Sequence, residues 1–200
     1  MRIAGYLPER NNYRLQDYEL QDYELPITEY RLPMNSNYQL IIIRGTPGAG
    51  KSSLGRRLKK VFPNGVLIEI DNVRGMMNDV DWNSEEQHFI ALDAAAATVK
   101  SFIQLKRTPV IVVDMFMPDK LEFFLEKVGE MNYKLISLLV NENILEKRLT
   151  ERKEGFKNIP KGNLLNKLIQ DHPAVNETRI DTTAIAKDDV MEKCLPELLK

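Results

Sequence analysis

Residues 39–53 read Gln-Leu-Ile-Ile-Ile-Arg-Gly-Thr-Pro-Gly-Ala-Gly-Lys-Ser-Ser, and no other stretch restricts the fold as tightly. Leu40, Ile41, Ile42 and Ile43 form a short unbroken apolar run, the pattern of a strand buried on both faces. Gly45, Gly50, Lys51 and Ser52 follow in the order G-x-x-x-x-G-K-S, and Arg56, Leu58 and the basic residues behind them read as a helix. Glycines let the backbone curl until several N–H groups converge on phosphate oxygens. The helix N-terminus behind them adds partial positive charge. In this pattern Lys51 is expected to reach the β- and γ-phosphates of a nucleoside triphosphate, and Ser52 to ligate Mg²⁺. The expected cradle is Gly45, Thr46, Pro47, Gly48, Ala49, Gly50, Lys51, Ser52 and Ser53.

Beyond this stretch, strand and helix patterns alternate. Strands are expected at 40–44, 66–70, 110–113, 133–140 and, weakly, 178–181. Helices are expected at 51–61, 73–77, 84–105, 118–131, 141–153, 163–170 and 187–199, with 155–162 as a loop. Ser84 with Gln87 three residues on makes a capping box for the third of these. The small apolar residues from Ala91 to Val99 mark it as closely packed. Such alternation argues for a parallel sheet covered on both faces, with sites outside the carboxyl ends of its strands.

Two hundred residues suit one substantial domain, taken to span 38–200. Residues 1–37 differ: Gln16-Asp17-Tyr18-Glu19-Leu20 repeats at once as Gln21-Asp22-Tyr23-Glu24-Leu25, a period of five that fits neither helix nor strand. They read as a flexible extension, with a tyrosine-bearing docking tail as the alternative. A formal net charge of −1 supplies no global field for nucleic acid. With a single cysteine, Cys194, no intrachain disulfide can form, and a cytoplasmic setting is expected. No apolar run reaches the roughly 20 residues that span a bilayer, so no membrane partner is expected.

Phosphoryl transfer needs positioning and charge neutralisation, with a carboxylate to orient or deprotonate the acceptor. Asp71, at the end of the second apolar run, is the expected catalytic carboxylate, and Arg74 three residues on the expected acceptor-phosphate ligand. Asp114, after Val110-Ile111-Val112-Val113, is expected near Mg²⁺ and the substrate. Arg148 and Arg152, four apart, are expected on one helix face, in a basic segment from Lys147 to Lys167 that would close as a lid. Trp82 and the methionines read as packing residues, and His88 and His172 have no metal-ligand spacing.

In order along the chain, these residues resemble the phage-type polynucleotide 5′-hydroxyl kinases and the wider group of small P-loop kinases, including zeta-toxin-like and antibiotic-phosphorylating enzymes. The resemblance runs from about Gln39 to Gln170, through Gly-Thr-Pro-Gly-Ala-Gly-Lys-Ser, Asp71 with Arg74, Asp114 with Pro118, and Lys147-Arg148-Leu149-Thr150-Glu151-Arg152. It departs at Met115-Phe116, where those polynucleotide enzymes usually carry Thr-Asn. It implies an α/β three-layer P-loop nucleoside-triphosphate hydrolase fold, with about five parallel strands and a helical lid. It also implies ATP and Mg²⁺ as cofactors, and transfer to a hydroxyl on a nucleic-acid 5′ end, a nucleoside or another small alcohol. Lys51, Asp71, Arg148 and Arg152 would be catalytic. The rival readings are a nucleotide-hydrolysing switch and a non-catalytic nucleotide-binding module.

Overall fold

The computed structural model describes residues 35–199, so the tandem pentapeptide lies outside the described residues. Its strands are β1 (Leu40–Gly45), β2 (Val66–Glu69), β3 (Val110–Val113), β4 (Tyr133–Leu139) and β5 (Glu177–Asp181). They form one sheet in the order β2-β3-β1-β4-β5, and every pairing is parallel. The helices are α1 (Lys51–Val61), α2 (Ile70–Arg74), α3 (Glu85–Gln104), α4 (Pro118–Val128), α5 (Glu142–Thr150), α6 (Ile159–Asp171) and α7 (Lys187–Leu198).

Alternation along β1 explains the three layers, because successive side chains leave a strand on opposite faces. Ile41 and Ile43 join Leu58 of α1, Leu145 of α5 and Cys194 of α7 in one core. Leu40 and Ile42 join Leu92 and Ala95 of α3 and Phe124 of α4 in the other. The alanines of α3 let it lie close to the sheet, with Ala91, Leu92, Ala95, Ala96 and Val99 all buried. Burial also pushes the Cys194 thiol up to about 12, so it behaves as a core residue.

Several sequence expectations shift. Asp71 does not end a strand: β2 stops at Glu69, and Asp71 occupies the first turn of α2. The lid is not one long helix to 153, since α5 ends at Thr150 and Arg152 falls in the connection beyond it. Arg148 and Arg152 therefore do not share a helix face. Finally, α6 begins at Ile159 rather than 163, because the Asn158 side chain caps it and Pro160 sits in its first turn, where a missing N–H costs nothing.

One buried ion pair ties the C-terminal half of the sheet together. Arg44 is fully buried; its Nη2 donates to Glu177 Oε1 at 2.7 Å and to the His172 carbonyl at 2.8 Å, and its Nε donates to Ser137 Oγ at 2.7 Å. Ser137 Oγ also hydrogen-bonds Glu177. Removing one member of such a pair strands a buried charge. Glu177→Ala should therefore lower unfolding stability by about 3–5 kcal/mol in denaturant titrations. A loss below about 1 kcal/mol would mean that the pair does not hold β5 in place.

Candidate functional site

Parallel register delivers the site residues to one rim. Ile43 pairs with Val113, so Asp114 emerges beside the start of the Gly-rich loop, and its N–H donates to the Ile43 carbonyl at 3.2 Å. Glu69 pairs with Val113 across the next strand, which sets Asp71 one position further along the same rim. Between β1 and α1 the loop turns where side chains do not fit. A Cβ on Gly45 would stand 2.6 Å from the Leu138 carbonyl oxygen. Gly50, the N-cap of α1, has φ 102°, in the left-handed region that glycine favours. No side chain caps α1 and its first turn carries no acid, so its N-terminal amides are left for an anion.

The loop is braced from behind. Thr46 is buried, with Oγ1 3.5 Å from Asn166 Oδ1, and Asn166 Nδ2 donates to the Val140 carbonyl at 2.6 Å. Arg148 Nη2 donates to the Thr182 carbonyl at 2.6 Å, and its Nη1 lies 3.5 Å from the Gly48 carbonyl. Lys51 Nζ donates to the Thr46 carbonyl at 3.0 Å, so the lysine is folded back over the loop. Its burial pulls the ammonium down to about 8, against the opposing pull of Asp114 and Asp71.

A cleft of about 1120 Å³ opens on this rim, lined by residues 47–54, Asp71, Arg74, Asp114, Arg148 and Arg152 among others. Thus the loop from Pro47 to Ser53 and all the predicted acids and arginines meet in one place; Gly45 and Thr46 lie behind it. The two aspartates differ in character. Burial, then the nearby Asp114 charge, raises Asp71 above the ordinary carboxylate range. Burial would also raise Asp114, but the hydrogen bond and charge of His88, the Met115 amide and Lys51 together bring it below that range.

His88 is the residue that sequence spacing missed. It sits on α3, and its Nε2 is 2.8 Å from Asp114 Oδ2, with both side chains buried. The Phe116 N–H reaches the same oxygen at 3.4 Å. Local sequence carries no sign of this contact, because the partners are 26 residues apart. Trp82 corrects the packing expectation: it is 57% exposed and lines the cleft. Arg74 departs from the picture of a free phosphate ligand. It is only 5% exposed, and its Nη2 donates to the carbonyls of Asp81 and Ser84, each at 2.6 Å. Met115 lines the cleft, whereas Phe116 turns into the core against Phe124.

The donor set suits a hard cation. Ser52 and Asp114 offer oxygens beside the loop, and Asp114 is kept ionised, which fits a metal such as Mg²⁺ that takes few protein carboxylates. Among the described residues no helix is long and apolar enough to cross a membrane.

Known structures share this architecture. A gluconokinase from Sinorhizobium meliloti is 19% identical over 82% of this chain and 93% of its own, with a TM-score of 0.59. The Deinococcus radiodurans tunicamycin resistance protein is 15% identical over 82% and 97%, with a TM-score of 0.61. A shikimate kinase from Acinetobacter baumannii, solved with shikimate, is 18% identical over 82% and 94%, with a TM-score of 0.58. These likenesses establish the three-layer P-loop nucleoside-triphosphate hydrolase fold. No curated protein matches the sequence. A family profile described as an AAA domain, AAA_18, matches residues 41–180, which carry the loop, both aspartates and the lid, and the chain therefore belongs to that family.

Proposed function

We propose that the chain is an ATP-dependent phosphotransferase that moves a γ-phosphate onto a hydroxyl of a small, uncharged acceptor. The observation that carries this reading is the pair of neighbouring aspartates, driven in opposite directions, that face one phosphate loop. A binding module needs only the loop and a metal-side carboxylate. A second carboxylate with raised proton affinity suits a group that takes a proton from an attacking hydroxyl. The shared fold with proteins named as gluconokinase and shikimate kinase also supports a kinase.

In this mechanism the loop amides, the α1 N-terminus and Lys51 hold the triphosphate, which draws Lys51 away from the Thr46 carbonyl. Mg²⁺, held by Ser52 and Asp114 directly or through water, offsets phosphate charge when bound. Asp71 takes the proton of the acceptor hydroxyl as the new O–P bond forms. The bond from the γ-phosphorus to its bridging oxygen breaks, and ADP leaves with that electron pair. Arg148, fixed by Thr182, and Arg152 beyond it supply positive charge on the lid side.

The polynucleotide 5′-hydroxyl stays the acceptor suggested by resemblance, but charge argues for a neutral one. A 5′ end brings a phosphate backbone that needs available cations. On the wall built from α2, α3 and the start of α4, the lining cations among the described residues are Arg74 and Lys120. Arg74 is engaged by two carbonyls, and buried Lys120 lies 3.1 Å from Asp119 and 3.3 Å from Glu85.

Transfer from γ-labelled ATP to a panel of hydroxyl acceptors tests the activity. Asp71→Asn should cut kcat by about 10²–10⁴-fold and leave nucleotide affinity intact. Since the base must be ionised, the acid limb of wild-type kcat/KM should lie above the ordinary aspartate range and vanish in the variant. Full activity in Asp71→Asn would remove the assigned base.

Lys51 gives a second test. Triphosphate favours its charged form, so binding should take up a proton once the free protein has lost it. Affinity should be level below pH 8 and fall as pH rises beyond about 8, with proton uptake visible by calorimetry in buffers of different ionisation heat. Binding with no proton uptake there would contradict contact between Lys51 and phosphate. His88 gives a third. Loss of its hold on Asp114 in His88→Ala should raise the Mg²⁺ concentration needed for tight nucleotide binding by about 10–100-fold, with His88→Gln partly restoring it. An unchanged Mg²⁺ dependence would make the contact purely structural.

A further inference from the structure

We propose that Trp82 is the stacking platform for the acceptor, and that the acceptor is a nucleoside: a neutral molecule with a planar heterocycle and the hydroxyl to be phosphorylated. This deepens, and rests on, the kinase reading above. A large aromatic side chain that stands more than half exposed in a cleft is usually a liability, and here the chain around it is built to hold it there. The Arg74 guanidinium lies 5.4 Å from the Trp82 ring centroid and supports it. The same guanidinium binds the carbonyl of Asp81, just before Trp82, and that of Ser84, two residues after. Gln87 Oε1 accepts the Asp81 N–H at 2.8 Å, and Asp81 Oδ1 accepts the Asn83 N–H at 2.9 Å. The side chain of Gln87 thus serves this loop, while the Ser84 hydroxyl caps the helix alone.

Position ties the platform to the chemistry. Arg74 lies one turn after Asp71 on α2, so the ring it carries stands one step from the proposed base. An acceptor with its hydroxyl at Asp71 extends toward Trp82. A heterocycle there gains stacking that an open-chain alcohol cannot. Asn83, Ser84 and Glu85 line the cleft alongside and offer donors and acceptors to the ring's polar edge. Lys120 is balanced by Asp119 and Glu85, and Arg74 directs Nη2 to two carbonyls rather than into the cleft, which favours the uncharged nucleoside over its phosphorylated forms.

Trp82 is the chain's single tryptophan, so its emission reports this site directly. The wild-type chain is first saturated with a non-hydrolysable ATP analogue and Mg²⁺, then titrated with adenosine, cytidine, thymidine, ribose, glycerol and a 5′-hydroxyl oligonucleotide, with excitation at the red edge of indole absorption. At least one nucleoside should quench the emission saturably, and ribose and glycerol should not. In the transfer assay Trp82→Ala should raise the KM for that nucleoside roughly tenfold or more, with the ATP KM unchanged and Trp82→Phe recovering most of the loss. Nucleoside quenching without phosphoryl transfer would keep the platform and sink the kinase reading. Transfer to glycerol or ribose as efficient as to any nucleoside, or an acceptor KM indifferent to Trp82→Ala, would keep the kinase and overturn the platform. Absence of quenching by every nucleoside would overturn it too, as would tighter binding of the oligonucleotide than of all nucleosides.

Discussion

A helix whose first amides find no side-chain partner is an unfinished structure, and α1 is left that way at the edge of a buried sheet. Those N–H groups retain partial positive charge, concentrated where β1 hands the chain to α1. Gly50 occupies the cap without offering an oxygen, and Gly45 passes the Leu138 carbonyl where a Cβ would collide. The surrounding structure makes this arrangement tolerable. Asn166 and Arg148 hold the loop from the α5–α6 side, and Lys51 folds onto the Thr46 carbonyl. An anion in the cleft would complete what the fold leaves open.

Two groups of buried charge show how the same chain separates stability from chemistry. Around Arg44, hydrogen-bond partners come from Ser137, Glu177 and the His172 carbonyl, and the Ala174 N–H satisfies the other oxygen of Glu177. That group joins β1, β4 and β5 through side-chain hydrogen bonds. Around Lys51 the balance is incomplete. Burial weakens the ammonium, and Asp71 and Asp114 crowd each other as like charges. His88 settles the competition by engaging Asp114, so one aspartate is fixed as an anion and the other retains affinity for a proton. Sites that must move protons are built from such mismatches.

Local pattern was enough for the Gly-rich turn and the alternating elements, because each is written in adjacent residues. The apolar run of β1 and the glycine spacing after it needed no tertiary information. Asp71 was misplaced at a strand end since Ile70 continues an apolar run; only the turn of α2 shows that Ile70 is buried as a helical residue. The start of α6 was drawn too late because Gly162 looked like a loop residue. In the fold it lies in α6, where the Leu149 side chain leaves no room for a Cβ. His88 and Arg44 were beyond local reading altogether, as their partners lie 26 and 133 residues away. Trp82 was read as core from its type, and only packing shows it on the cleft wall. The N-terminal repeat lies outside the described residues, and its reading as an extension stays an expectation.

We infer that a nucleoside triphosphate seats in the turn between β1 and α1, opposite Asp71 and Asp114. A crystal structure of the chain with a non-hydrolysable ATP analogue and Mg²⁺ tests it directly. Phosphate oxygens should lie on the amides of residues 48–53, Lys51 should swing from the Thr46 carbonyl onto the β- and γ-phosphates, and both aspartates should face the γ-phosphate. Phosphates bound elsewhere, or a turn left empty at saturating nucleotide with Lys51 still on Thr46, would contradict it.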